Sequence, residues 1–134
     1  IISAIRFRPT GANEGSAFAR IMRPQGIALP ILGMAARIKL AIRNSQFVIE
    51  DAAISAGPVA PTLFRATRTE EFLRGKALDD ATLEQAARVL LSEAQPRTSA
   101  HRATREYRVE LLPMMLRQVL TKAMERARRM TEDE

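Results

Sequence analysis

Residues that could carry out chemistry are few in this chain of 134 residues. It has no cysteine and a single histidine, His101, which excludes disulfides, iron–sulfur ligation by this chain and a metal site built from several histidines. Ser99, His101 and Glu106 are close in sequence, but no nucleophile motif surrounds the serine, so they do not form a catalytic triad. We therefore predict no catalytic residue and no metal ligand, and we expect His101 to be exposed.

Arginine supplies most of the positive charge of the chain. Lysine and arginine number 21 against 15 acidic residues, for a net charge of +6. Such a balance suits nucleic acid, an acidic membrane surface or an acidic neighbouring protein. Because the arginines are spread over all the predicted elements and no aromatic platform accompanies them, we expect nucleic acid not to be the partner. No run of about 18 apolar residues is present, so no transmembrane helix is expected.

The two halves of the sequence have different patterns. Residues 1–60 carry short alternating apolar runs broken by glycine and proline, whereas residues 66–130 have helical periodicity. Strands followed by helices are typical of a segregated α+β domain. We predict an antiparallel sheet of three to four strands, followed by about three helices packed on one face.

Period-two alternation predicts strands over residues 1–7, 17–22, 31–42 and 47–56. Pro24 and Gly26 are expected to interrupt pairing between the second and third strands. The third strand has one apolar face, made of Leu32, Met34, Ala36, Ile38 and Leu40. The fourth strand is less regular because Glu50 and Asp51 are adjacent, so simple alternation turns one of them toward a covered face.

Helical periodicity and capping residues predict three helices. The first covers residues 67–73, the second begins at Asp79 or Asp80 and ends before Pro96, and the third covers residues 103–130. Pro113 is expected to kink the third helix or split it into two. Its buried stripe is predicted to be Leu112, Leu116, Val119, Leu120 and Ala123.

Three segments, in this order, resemble the flavoprotein subunit of the molybdenum hydroxylases, the xanthine and carbon monoxide dehydrogenase family. Residues 18–23 are similar to the family's Tyr-x-Lys-x-x-Arg run, with Arg20 in place of the lysine. Residues 57–66 resemble its Gly-Gly-Val-Ala-Pro-Thr-Pro-x-Arg-Ala block, with Pro58 in place of the second glycine. Residues 102–108 are similar to its Arg-x-Ser-x-Glu-Tyr-Arg helix start, although Thr104-Arg105 replaces the serine.

The resemblance implies the C-terminal domain of an FAD-containing, cytoplasmic electron-transfer subunit. In such complexes a molybdopterin large subunit oxidises the substrate, an iron–sulfur small subunit relays the electrons, and FAD passes them to an acceptor. The implied partners are these two subunits and the N-terminal FAD-binding domains of the same polypeptide, which hold most of the cofactor. We expect the chain alone to be non-catalytic and not to bind FAD tightly. A non-catalytic module that binds protein or nucleic acid through the same scaffold stays open as an alternative.

The resemblance also implies domain limits within a longer polypeptide. Residues 1–16 are expected to be a connector or a short strand that leads from a missing FAD-binding domain. Residues 17–130 are expected to form the domain itself, and residues 131–134 a disordered tail.

Four residues are candidates for binding. Arg20 matches a family lysine that lies close to the flavin, and a guanidinium could stabilise negative charge there or bind a phosphate. The alternative for Arg20, and equally for Arg23, is a solvated residue of the sheet. Tyr107 and Arg108 could anchor a partner subunit, as aromatic and arginine side chains often do. The alternative for Tyr107 is a ring packed on the sheet, with its hydroxyl bonded to the backbone.

Overall fold

The computed structural model describes residues 1–24 and 27–132. These residues form a four-stranded antiparallel sheet in the order β1-β2-β3-β4, with three helices on one of its faces. The α+β architecture predicted from the sequence is confirmed. The elements in chain order are β1 (Glu14–Met22), β2 (Pro30–Arg43), β3 (Gln46–Gly57), β4 (Phe64–Arg65), α1 (Thr67–Leu73), α2 (Asp80–Glu93) and α3 (Arg105–Glu132).

The core lies between the helices and one face of the sheet, here called the covered face. The long helix α3 packs on β1 and β2, while α1 packs on β3 and α2 packs on α3. Both apolar stripes predicted from the sequence are buried in this layer, which confirms them. Those stripes are Leu32, Met34, Ala36, Ile38 and Leu40 in β2, and Leu112, Leu116, Val119, Leu120 and Ala123 in α3.

The backbones of α3 and β1 approach each other closely at Gly15. A Cβ atom on Gly15 would lie 2.0 Å from the carbonyl oxygen of Ala123 and 2.5 Å from the amide nitrogen of Ala127. Side-chain atoms cannot occupy that space without moving the backbone of one element. The small residue at position 15 therefore sets how closely α3 lies against the sheet.

The predicted strand over residues 1–7 is wrong. Residues 1–10 have no regular secondary structure, and Ile1, Ile2, Ile5 and Phe7 are exposed. Alternation favours an extended backbone, but a strand also needs a hydrogen-bonding neighbour, and none of the described strands pairs with this segment. The pairing of β1 ends at Met22, ahead of Pro24, whereas Gly26 lies outside the described residues.

Of the two outcomes expected at Pro113, a kink or a split, the structure does not have the split, and the kink stays a prediction. The helix α3 runs without interruption from Arg105 to Glu132 with Pro113 inside it. Proline cannot donate to the carbonyl of Val109, and its ring crowds that carbonyl. Buried apolar side chains on both sides of Pro113, such as Leu112 and Met115, pack into the same core. The helix continues through Glu132, and residues 133–134 of the predicted tail lie outside the described part of the chain.

Two carboxylates satisfy the amide groups at the starts of α1 and α2. Asp79 accepts a hydrogen bond from the amide of Thr82 at 2.7 Å, which confirms the predicted start of α2 and lowers the pKa of Asp79. Glu93, at the end of α2, accepts from the amide of Thr69 at 3.0 Å and from its hydroxyl at 2.6 Å. The side chain of Glu93 in α2 thus caps the start of α1 and holds the two helices together.

We predict that Gly15→Ala lowers the free energy of unfolding by about 3 kcal/mol or more, because the added methyl group has only backbone atoms to displace. Gly33→Ala is the matched control, since its Cβ would lie 3.6 Å or more from the nearest atoms. Urea unfolding of both variants measures the difference. Equal stability of the two variants would contradict the close approach of α3 to β1.

Candidate functional site

The face of the sheet opposite the helices, here called the open face, is lined mainly by small residues. Phe18 on β1 lies opposite Ala35 on β2, and Ala35 lies opposite Ser55 on β3. In the next row, Arg20 lies opposite Gly33, and Gly33 lies opposite Gly57. Phe18 is 63% exposed. The open face thus carries mostly small side chains, together with the exposed Phe18 ring and several arginines.

At one end of the open face the charged groups are paired. The carboxylate of Glu14 accepts hydrogen bonds from Arg8 at 2.7 Å, from the amide of Gly11 at 2.9 Å and from Arg37 at 3.4 Å. Arg37 also donates to Asp51 at 2.6 Å. The Gly11 amide and the Arg8 guanidinium lower the pKa of Glu14. The hydrogen bond from Arg37 lowers the pKa of Asp51.

A β-bulge explains how Glu50 and Asp51 can be adjacent in β3. Lys39 pairs with Asp51 and Leu40 pairs with Ile49, so Glu50 is an extra residue without a partner in the register. Neither acidic residue is buried, and Glu50 accepts from Lys39 at 2.8 Å. The extra residue resets the alternation, so no carboxylate has to enter the core.

At the other end of the open face lies an open cleft of about 520 Å³. Phe18 and Arg20 line it from β1, residues of the 57–63 segment line it from the loop after β3, and Arg102 lines it from the loop before α3. These are the three segments that carry the family resemblance, and they are far apart in sequence. The cleft is therefore the place where the recognisable parts of the sequence meet.

The 57–63 segment is held in place at Val59 and by the residues that directly follow it. Val59 is fully buried, and its carbonyl accepts a hydrogen bond from the amide of Gln95 at 2.7 Å. After the segment, Arg65 in β4 donates to the buried carboxylate of Glu70 at 2.9 Å, and Glu70 also accepts from the amide of Ile54 at 2.8 Å. The wall of the cleft is thus tied to β3 and to the helical layer. The Gly57–Pro58 peptide within this wall is cis.

The cations at the cleft differ from those of the paired end. Arg20 is exposed, and neither Arg20 nor Arg102 forms an ion pair with the described residues. Arg23 donates to the carbonyl of Arg102 at 3.2 Å. Arg23, His101 and Arg102 also line a smaller cavity of about 190 Å³. His101 is exposed, as predicted.

Arg102 was missed as a site residue in the sequence analysis, where it served only as part of a motif. It lines both the cleft and the smaller cavity. Sequence periodicity could not have found it, because the fold of the 97–104 loop determines where its side chain lies.

Tyr107 and Arg108 have opposite environments. Tyr107 is 43% exposed, and among residues 1–24 and 27–132 no group bonds its hydroxyl, so the alternative with a hydroxyl-to-backbone bond is not what the structure has. Arg108 is only 3% exposed and donates to the carbonyl of Arg97. The role of either residue in binding a partner subunit stays a prediction.

Comparison with known proteins now assigns the fold to a family. Residues 16–123 match the family model described as CO dehydrogenase flavoprotein C-terminal domain. The chain belongs to this family. It is 28% identical over 124 residues to the xanthine dehydrogenase FAD-binding subunit of Escherichia coli O157:H7, which covers 92% of this chain and 41% of that protein.

Two solved structures are similar to most of the chain. The reconstituted CO dehydrogenase from Oligotropha carboxidovorans is 26% identical with a TM-score of 0.71, over 91% of this chain and 40% of that one. Quinoline 2-oxidoreductase from Pseudomonas putida 86 is 25% identical with a TM-score of 0.70, over 85% of this chain and 38% of that one. The chain thus spans about two-fifths of the relatives it matches.

Within residues 1–24 and 27–132, no helix is both long and apolar enough to cross a membrane. In the same residues, no group of three or more His, Cys, Asp or Glu side chains could hold a metal ion.

We predict that Glu14 makes the stability of the domain sensitive to acid. Its folded pKa lies below the ordinary value of 4.5, so its contribution is complete above pH 4.5 and is lost as the pH falls through the folded pKa. Urea unfolding between pH 7 and pH 3 should show that the stability gap between the native chain and Glu14→Gln narrows below pH 4.5. Glu84→Gln on the exposed side of α2 is the control. A pH-independent gap for Glu14→Gln would contradict this prediction.

Proposed function

We propose that this chain is the C-terminal domain of an FAD-binding electron-transfer subunit of a molybdenum hydroxylase complex, and that its cleft faces the flavin site. The observation that carries the proposal is the meeting of the three family-like segments in one cleft, where Arg20 forms no ion pair with the described residues. The family match over residues 16–123 and the name of the Escherichia coli relative support the link to FAD.

The cleft suits one side of a flavin site better than a complete one. Its floor carries no side chain at Gly33 and Gly57, and a Cβ on Gly57 would meet nothing within 4 Å. A planar ring system can lie against such a surface, with the Phe18 ring beside it. The 57–63 segment has no run of glycine amides for holding a diphosphate. Most of the cofactor would therefore be held by the N-terminal FAD-binding domains of the same polypeptide.

Arg20 is the residue best suited to act on the bound flavin. Its guanidinium has no carboxylate partner among the described residues, so its full charge is available to a ligand in the cleft. When bound, FAD would take up electrons and pass them to an acceptor. A fixed cation beside the ring favours the form that carries more negative charge. Arg23 lies at the neighbouring cavity and is assigned a weaker, supporting role.

The exposed apolar residues around the cleft support a buried location in the assembled protein. Leu63 is 92% exposed and Phe18 is 63% exposed, and both line the cleft. Contact with the preceding FAD-binding domains would cover them. The iron–sulfur small subunit and the molybdopterin large subunit are the further proposed partners, with Tyr107 as a candidate contact residue.

We predict that Arg20→Gln, made in the full-length FAD-loaded protein, lowers the two-electron reduction potential of the flavin by about 30 mV, or about 1.4 kcal/mol. Arg20→Lys should retain most of the native potential because it keeps the charge. Arg88→Gln is the matched control, since it removes the same charge from an exposed position on α2. Redox titration followed by visible absorbance measures all three variants. Equal potentials for Arg20→Gln and Arg88→Gln would refute the role of Arg20.

We also predict that the 134-residue chain alone binds FAD weakly or not at all, because its cleft supplies one wall of the site. Fluorescence titration of FAD with the purified domain tests this. Saturable binding in the micromolar range would contradict the division of the site between domains.

A further inference from the structure

The open face carries a second groove, which adjoins the cleft at Phe18. Its volume is about 560 Å³. We call it the arginine groove, because three arginines line it around a floor of small side chains. The arginines are Arg37 in β2, Arg65 in β4 and Arg126 in α3, and the floor is made of Ala35, Ala53 and Ser55. Three separate elements thus bring positive charge to one place on the open face.

The arginine groove crosses the sheet from β1 to β4. The register places Ser16 of β1 opposite Arg37 of β2, and Ser55 of β3 opposite Arg65 of β4. Neighbouring strands lie about 4.8 Å apart, so β1 and β4 are separated by about 14 Å. Arg126 reaches the edge strand β1, where it donates to the carbonyl of Ser16 at 2.6 Å. One arginine therefore lies at each side of the groove, with Arg37 on a strand between them.

The outer arginines of the groove keep positive charge and hydrogen-bond donors at the surface. The Arg65 side chain is 63% exposed, whereas that of its partner Glu70 is 5% exposed. The bond to Glu70 uses only the Nε of Arg65, so the two terminal nitrogens have no hydrogen-bond partner among residues 1–24 and 27–132. Arg126 is exposed and forms no ion pair with these residues. Both guanidiniums can therefore donate to an anionic group above the sheet.

The shape of the arginine groove suits a protein segment better than a small molecule. Small-molecule sites are concave and bury most of their ligand, whereas this groove is open along the sheet. Arginine and aromatic side chains are enriched in protein interfaces, and the exposed Phe18 ring stands at the end of the groove. A carboxylate matches the fork of a guanidinium. The small floor residues leave room for an extended backbone.

From these contacts we propose that the arginine groove is a docking surface for an extended acidic segment of a partner protein. The segment would carry two carboxylates four residues apart, because such side chains lie on one face of an extended chain about 13 Å apart. That distance is close to the span from β1 to β4. One carboxylate would bind Arg126 and the other Arg65, while Arg37 stays paired with Glu14 and Asp51. The inference is independent of the proposed flavin role.

A purely structural role for these arginines leads to a different expectation. In that case Arg65 only fastens β4 to Glu70, and Arg126 only fastens α3 to the edge of β1. An acidic peptide would then be attracted by the net positive charge of the chain alone. Its affinity would depend neither on the spacing of its carboxylates nor on which exposed arginine is removed. Docking in the groove requires both dependences.

The experiment compares two peptides of identical composition with blocked ends. One has two glutamates four residues apart and the other has the two glutamates adjacent, in a background of serine and glycine. Nuclear magnetic resonance titration of the 134-residue chain at constant ionic strength measures both affinities. We expect the spaced peptide to bind about fivefold more tightly, because only this peptide can reach both guanidiniums. Equal affinities would overturn the proposal.

Arg126→Gln tests the groove against a matched control on the same helix. It should abolish the preference for the spaced peptide, because one of the two carboxylates loses its partner. Arg129→Gln removes the same charge from an exposed position of α3 outside the groove and should leave the preference unchanged. Equal effects of the two variants would overturn the proposal. If Arg126→Gln does not fold, Arg65→Gln decides the question, and a preference retained in that variant would contradict docking in the groove.

Three further measurements distinguish a partner protein from other occupants. Tighter binding of an oligothymidylate than of the spaced peptide would assign the groove to nucleic acid. Light scattering that shows a dimer, which the spaced peptide dissociates, would assign it to a second copy of the chain. Loss of peptide binding in the full-length protein would show that the same polypeptide covers the groove. Each of these results would overturn the proposal, whereas equal peptide affinity in the full-length protein would support a separate partner.

Discussion

The direct contact between the backbones of α3 and β1 at Gly15 is the constraint on which the rest of the structure depends. Because α3 lies so close to the sheet, its apolar stripe and that of β2 form one buried layer. The shorter helices attach to this layer, with Glu93 capping α1 from the end of α2. All the described helices thus pack on the covered face of the sheet. The open face remains available for other contacts.

The two ends of the open face differ in whether their charged side chains form ion pairs. At one end Glu14 and Asp51 bind Arg8, Arg37 and Arg74, so those cations contribute to the fold. At the other end the arginines that line the cleft and the small cavity have no carboxylate partner in the described part of the chain. We assign to ligand binding the arginines that have no carboxylate partner among the described residues. This division separates two groups of arginines that look alike in sequence.

Local sequence patterns were enough to predict the sheet and the helical layer. They were not enough to predict the contacts between distant segments. The β2 stripe and the Asp79 cap depend on neighbouring residues and were predicted correctly. The strand over residues 1–7 was wrong because alternation does not reveal whether a pairing partner exists. The bulge at Glu50 required the register with β2, and the position of Arg102 at the cleft and the burial of Arg108 required the folded loop. The order of the family-like motifs identified the segments that line the cleft. Only the folded structure shows that these segments lie together.

The structure of the full-length protein with FAD bound tests the central claim most directly. We expect the cleft lined by Phe18, Arg20 and the 57–63 segment to face the flavin, with the guanidinium of Arg20 as the nearest cation that this domain supplies. Leu63 would be covered by the preceding domains. A structure in which the flavin lies far from this cleft, with Phe18 and Leu63 still open to solvent, would contradict the account.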